Sequence, residues 1–427
     1  MQRRWKTKDL VARVTLLTVM IGLFGNVLFA GGAHADYAPS TYNSATGKGD
    51  VVCVGSDTLQ FLGDFMADGD PNGRTGANAS KQFGKMISLD ATGDANARFS
   101  YSQTQTFGVA VTPSALDPTA WLRAGNFPAQ RPNGSGAGYR ALLADVTSTT
   151  SPNVKINCVR GSSLPTSAQF TQAHNQGWGG LHVVRAATET LAVAAVSSGS
   201  CVPQGLSAAQ LVALYQDPGV ASWSALPGGY NGSCAGTSTP HPLLPQPGSG
   251  TRNTFLADLK AANGNVDVVL CSCVNQGVEE NDPASLTNDP SPADAFVPFS
   301  GGRLNLWNGK TGTGLNDAFG NFFHNPHAAF GVPYPGGAAL TAGVGLVTGT
   351  TSDAAAPYTD VRGLFFTWRA VDDNLTGPWQ GAGPNWVSTL FTGSTSTLRG
   401  IAGQGLVNDS GATWAFKDCG VDNVNGC

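Results

Sequence analysis

Short apolar runs alternate with helix-spaced apolar positions along most of this chain. The stretches 51–54, 107–111, 154–159, 182–184 and 191–196 have the length and character of buried strands, and 59–67, 139–145 and 166–175 between them read as helices. Leu206, Leu211 and Leu214 share one face of a predicted helix over 206–215, capped by Ser207. Further on, 361–369 reads as a buried strand and 386–391 as a helix. Such alternation predicts an α/β architecture. Three stretches interrupt it. Residues 68–105, rich in Gly, Asn and Asp, read as an irregular excursion, and 331–357 is rich in Gly, Pro, Ala and Thr. Residues 275–294 are acidic and punctuated by proline, so they read as a surface loop, with Glu279 and Glu280 on a solvated face. No repeat of fixed period is present.

Four of the junctions between these elements share one chemistry. Pro-Gly-Ser-Gly-Thr-Arg-Asn-Thr-Phe (247–255) runs into a helical stretch at 256–262. Glycine lets backbone approach a ligand closely, and the free N–H groups of a helix's first turn point outward along the dipole. Ser249 and Thr251 add hydroxyl donors, Gly250 adds space, and Arg252 adds a cation. The same pattern recurs at Val-Gly-Ser-Asp-Thr (54–58), with Ser56, Asp57 and Thr58. It recurs again at Asn-Gly-Ser-Gly-Ala-Gly-Tyr-Arg (133–140), with Ser135 and Gly136, and at Arg-Gly-Ser-Ser (160–163), with Arg160 and Ser162. Small tetrahedral oxyanions need this mixture of donors.

The N-terminus carries Arg3, Arg4, Lys6 and Lys8, then an apolar run to about residue 30, then Ala33-His-Ala35. That is the pattern of a secretory signal peptide over 1–35, cut before Asp36, and it predicts a secreted protein, periplasmic in a Gram-negative source. The remainder has 19 basic against 27 acidic residues, a net charge of −8. This balance, with no basic run, argues against nucleic acid as a partner but not against a small anion, which local dipoles can hold. All eight cysteines lie in the exported part, so disulfides are expected; Cys201 with Cys234 and Cys419 with Cys427 are the nearest pairings. Cys271 and Cys273 are too close for an easy bridge to each other, and their partners stay open.

At this point the residues resemble a family. Val-Gly-Ser-Asp-Thr (54–58), Leu-Ser-Ala-Ala-Gln-Leu (206–211) with Ala-Ser-Trp-Ser-Ala-Leu (221–226), and Gly-Ser-Gly-Thr (248–251) occur in the order typical of phosphate-binding proteins of ABC importers. Phe-Val-Pro-Phe-Ser (296–300) and Lys-Asp-Cys-Gly (417–420) are similar to the branch common in high-GC Gram-positive bacteria. The resemblance implies a two-lobed type II periplasmic-binding-protein-like fold with two hinge crossings. Lobe 1 would be 36–184 plus 358–427 and lobe 2 would be 185–357, with crossings near 182–190 and 355–362. It also implies a monomer without cofactor, binding phosphate or another inorganic oxyanion and serving an ABC permease. Carried over by motif, Ser56, Asp57 and Thr58 form the first ligand loop, Ser135 the second, and Ser249, Gly250 and Thr251 the third.

Two positions depart from the family pattern. Where it has an arginine three residues before the third loop, this chain has Pro245, leaving Arg252 to bring charge from another side. Where it has an aspartate that accepts the proton of hydrogen phosphate, this chain reads Arg-Gly-Ser-Ser (160–163), leaving Asp57 as the candidate acceptor. An enzyme is not expected: neither Ser135 nor Ser249 sits in Gly-x-Ser-x-Gly, and proline separates His324 from His327. The alternative is a secreted surface or adhesion protein that keeps the fold without tight phosphate binding and displays aromatics such as Trp178, Trp379 and Trp386.

Overall fold

Strand β1 (Val51–Gly55) is buried at every residue, as expected of an apolar run covered on both faces. It belongs to a computed structural model that describes residues 40–91 and 119–145 with short gaps, then 155–308, 343–379, 384–423 and 427. The signal segment 1–35, the strand expected at 107–111 and the histidines 324 and 327 lie outside the described residues.

β1 pairs in parallel with β2 (Met86–Ser88). A two-residue ribbon, β3 (Thr119–Ala120) with β4 (Ala129–Gln130), stands apart from the main sheet. The main sheet continues through β5 (Cys158–Gly161), β6 (Leu181–Val196), β7 (His241–Pro245), β8 (Asn275–Val278), β9 (Ala295–Ser300), β10 (Val344–Leu346), β11 (Thr359–Arg369) and β12 (Thr413–Val421). Its order is β2-β1-β5-β11-β6-β9-β7-β8, with β10 and β12 also pairing β6. Parallel and antiparallel pairs are mixed, and helices flank the sheet, giving the α/β character expected from the alternation.

Those helices are α1 (Gln60–Asp68), α2 (Ser135–Ala144), α3 (Ser167–Asn175), α4 (Ala208–Tyr215), α5 (Gly250–Ala262), α6 (Ala284–Thr287), α7 (Gly301–Asn308) and α8 (Ile401–Asp409). Ser207 caps α4 in a reciprocal box with Gln210, two of its N-terminal donors being satisfied locally. The helix expected at 386–391 is present over 386–392, its last five residues (Ser388–Thr392) forming a wider turn.

β6 departs most from the sequence expectation. The two strands foreseen at 182–184 and 191–196 are the ends of one strand of 16 residues. Its polar middle is tolerated because Glu189 stands opposite Arg362 of β11 in the antiparallel register and bonds to it. Along one edge β6 pairs with β11 and then β10; along the other it pairs with β12 and then β9. Its first half enters a core with Val51, Met66, Phe366, Trp368, Trp386 and Phe391. Its second half enters another with Leu211, Tyr215, Trp223, Phe255 and Phe296.

The stretch 275–294 is not the surface loop foreseen. It supplies β8 and α6, and Glu279, Glu280 and Asn281 between them are all buried, each bonded to polar groups from distant segments. Trp178, Trp379 and Trp386 are core residues rather than displayed aromatics. All eight cysteines are bridged: 53 to 158, 201 to 234, 271 to 273 and 419 to 427. The 271–273 bridge corrects the expectation that these two are too close to join. The 53–158 bridge ties β1 to β5 at positions that are opposite in register.

Candidate functional site

The four glycine-rich junctions converge. Ser56 follows β1, donates its amide to Arg160 O at 2.9 Å, and gives its hydroxyl to Ser162 Oγ at 3.0 Å. Ser135, first residue of α2, has its Oγ 3.1 Å from Ser162 Oγ and accepts the Ser162 amide at 2.9 Å. Gly250, first residue of α5, closes the group: a Cβ there would stand 2.2 Å from Ser162 Oγ and 2.4 Å from Ser135 Oγ. Only glycine fits. The loops themselves abut, with Gly136 N donating to Gly248 O at 2.9 Å while Gly134 (φ 93°) and Gly248 (φ 99°) take left-handed backbone.

Beside this neutral hydroxyl group lies a charged one. Glu280 Oε1 accepts from Thr251 Oγ1 at 2.6 Å, Thr58 Oγ1 at 3.1 Å and the Thr251 amide at 3.3 Å. The Thr251 amide belongs to the first turn of α5, where the dipole favours an anion. Ser249 caps that helix by accepting the Arg252 amide at 3.0 Å. Arg362 Nη2 donates to Thr251 Oγ1 at 2.8 Å, while its Nε and Nη2 hold Glu189 Oε1 at 2.8 and 2.5 Å. Arg362 Nη1 and Glu280 Oε2 are buried without a hydrogen-bond partner. Burial, and then the Asp57 charge, push the Glu280 carboxyl above its ordinary range, against the opposing pull of Thr251, Arg362 and Ser249.

Asp57 is fully engaged: Arg303 Nη2 reaches Oδ1 at 3.2 Å, and Asn281 Nδ2 reaches Oδ2 at 3.1 Å. Asn281 also donates to Thr58 Oγ1 at 3.1 Å and accepts the Ser300 amide at 2.8 Å. Glu189 Oε2 accepts the Ser300 hydroxyl as well.

The structure thus gathers Ser56, Asp57, Thr58, Ser135, Gly136, Ser162, Ser249, Gly250 and Thr251. Two foreseen residues lie elsewhere. Arg160 sits on β5 with its guanidinium donating to Ser88 Oγ and Leu89 O. Arg252, one position further round the helix, donates to Pro245 O at 2.8 Å and Gln276 Oε1 at 2.7 Å at the surface. The cation beside Thr251 and Thr58 is Arg362, which sequence reading took only as part of a buried strand. A charged residue inside Val-Arg-Gly-Leu-Phe-Phe (361–366) was the available signal, because a buried charge demands a partner. Glu189, inside its own apolar stretch, was the other half of it.

No protein-family model and no curated protein matches the chain. Among solved structures it is similar to a high-affinity periplasmic phosphate-binding protein, PfluDING, bound with phosphate (14% identity, 86% of this chain and 99% of that chain, TM-score 0.40). It is also similar to an ancestral soluble variant of the human phosphate-binding protein (15% identity, 86% and 100% covered, TM-score 0.39). An ABC-type phosphate transport receptor from Vibrio cholerae matches over 66% of this chain and 86% of that chain, with 14% identity and a TM-score of 0.37.

Proposed function

We propose that this chain is an exported solute-binding protein that captures an inorganic oxyanion, phosphate before others, at the N-terminus of α5 for ABC-type uptake. One observation carries the reading: the donors at that helix terminus already hold a buried carboxylate. Thr251 N, Thr251 Oγ1 and Thr58 Oγ1 surround Glu280 Oε1, and Arg362 stands beside them with Nη1 unengaged. A group of donors that stabilises a carboxylate oxygen suits one oxygen of a tetrahedral anion, since the charge-assisted bonds are of the same kind. The Ser56, Ser135 and Ser162 hydroxyls lie next to it and can turn toward further oxygens.

In this reading 36–184 with 358–427 form one lobe and 185–357 the other. β6 and β11 are the crossings, and closure completes the donor shell around the ligand. Binding is not followed by chemistry. The four disulfides suit the exported compartment that the N-terminal segment predicts. The test is calorimetric titration of anion-stripped protein with phosphate and then sulfate. Saturable phosphate binding that is weakened in Ser249→Ala is the expected result; heat from neither anion removes the reading.

A further inference from the structure

Glu280 occupies the place that the proposed function gives to a ligand oxygen. Its neighbours in the chain are held on both sides. Glu279 before it is held by Asn133 Nδ2, 3.0 Å from both carboxylate oxygens. Asn281 after it has left-handed backbone (φ 55°) and is tied to Asp57, Thr58 and the Ser300 amide. Glu280 itself is 1% exposed. Thr251 and the Ser300 amide lie in the same proposed lobe as Glu280, so parting of the lobes releases Asn133, Asp57 and Thr58 but keeps the Glu280 carboxyl beside Thr251.

The charges around it are unbalanced. Asp57 from the β1 loop, Glu189 from β6 and Glu280 face Arg303 from α7 and Arg362 from β11, three acids against two cations. Asp282 of the same loop has its carboxyl pushed up too, by burial first. A further anion placed on Thr251 N and Arg362 would lie beside an ionised Glu280 in a medium where like charges a few ångströms apart repel by about 4 kcal/mol.

We infer that Glu280 is a resident internal anion which cedes Thr251 and Thr58 to the incoming oxyanion and takes up one proton from solvent as it does so. The inference rests on the oxyanion reading above. In the step one O–H bond forms at Glu280, on the Oε2 atom that has no partner, and one bond to hydrogen breaks in the hydronium ion or buffer acid that supplies the proton. The residue then sets how strongly binding depends on pH and how much charge the ligand can carry.

The consequence is a linkage between anion and proton. With one proton taken up per anion, affinity falls by about tenfold for each pH unit above the Glu280 pKa of the free protein. Two measurements test it. Titration of the unmodified protein with phosphate and with sulfate at pH 8, in Tris and in HEPES, should give heats that differ as the two buffers' ionisation heats differ, corresponding to net proton uptake. Glu280→Gln keeps the shape and one acceptor oxygen but not the charge. It should bind both anions more tightly than the parent at pH 8, with the gap narrowing as pH falls and sulfate gaining most. Buffer-independent heats with pH-independent affinity for sulfate would overturn the inference while leaving the oxyanion site intact. So would a Glu280→Gln protein that binds both anions more weakly, which would make the carboxylate a needed ligand contact. Silence from both anions in both proteins overturns this inference and the oxyanion reading together.

Discussion

The hydroxyl group around Gly250 and the charged group around Glu280 touch, yet they are built in opposite ways. Ser56, Ser135 and Ser162 come from short motifs at the ends of β1, the start of α2 and the end of β5. Each hydroxyl both gives and accepts, so the three satisfy one another at 3.0 and 3.1 Å without any ion. The charged group is drawn from 58, 189, 251, 280 and 362, and every member needs a partner from another part of the chain. The lesson is that the glycine loops determine where a ligand would sit, while the strands crossing between the two cores determine what charge it would meet.

The comparison is broken most severely by removing the charged group's cation. Arg362→Met leaves Glu189 buried and unpaired and strips Thr251 of a donor. Loss of one partner of a buried ion pair costs about 3–5 kcal/mol, so urea unfolding should show a large drop in midpoint, and phosphate binding should vanish in whatever folds. A comparable effect from Arg160→Met on binding would mean that the cation at the site has been misplaced.

The hydroxyl group is tested by Gly250→Ala. The added methyl would meet Ser162 Oγ at 2.2 Å and Ser135 Oγ at 2.4 Å, and overpacking of this kind costs about 1–3 kcal/mol. Removing the obstructing hydroxyl in Ser162→Ala should recover part of that loss in the double variant, as measured by thermal unfolding. No recovery would place the conflict in the backbone instead.

Thr251 belongs to the charged group by its side chain and to the glycine loop by its sequence, so Thr251→Ala sharpens the boundary. It removes the hydroxyl between Arg362 and Glu280 but keeps the helix-terminal amide. Hydrogen bonds to charged groups are worth roughly 1.5–3 kcal/mol, so phosphate affinity should fall by about tenfold or more with a smaller change in stability. The smallest effect is expected from Arg252→Ala, whose guanidinium serves Pro245 O and Gln276 at the surface. Its stability should change by about 0.5 kcal/mol or less, with calorimetric affinity unaltered. A large loss of affinity there would return Arg252 to the site.

By itself the sequence determined the local events. Continuous apolar runs made β1 and the buried part of β11, the Ser207 and Gln210 pair capped α4, and Gly-Ser-Gly before a helical stretch opened α5 with Ser249 as its cap. Each follows from forces acting over a few residues: side-chain burial, capping and glycine's backbone freedom. Tertiary structure alone decided that 182–184 and 191–196 are one strand, because the polar residues between them are stable only with β11 alongside. It alone turned Glu280 from a seemingly solvated acid into a buried one, since its Oε1 accepts from Thr58 and Thr251, 222 and 29 positions away. It also placed Arg362, rather than Arg160 or Arg252, beside Thr251. A charge's surroundings are set by whatever the fold brings within a few ångströms, and no window along the chain contains that information.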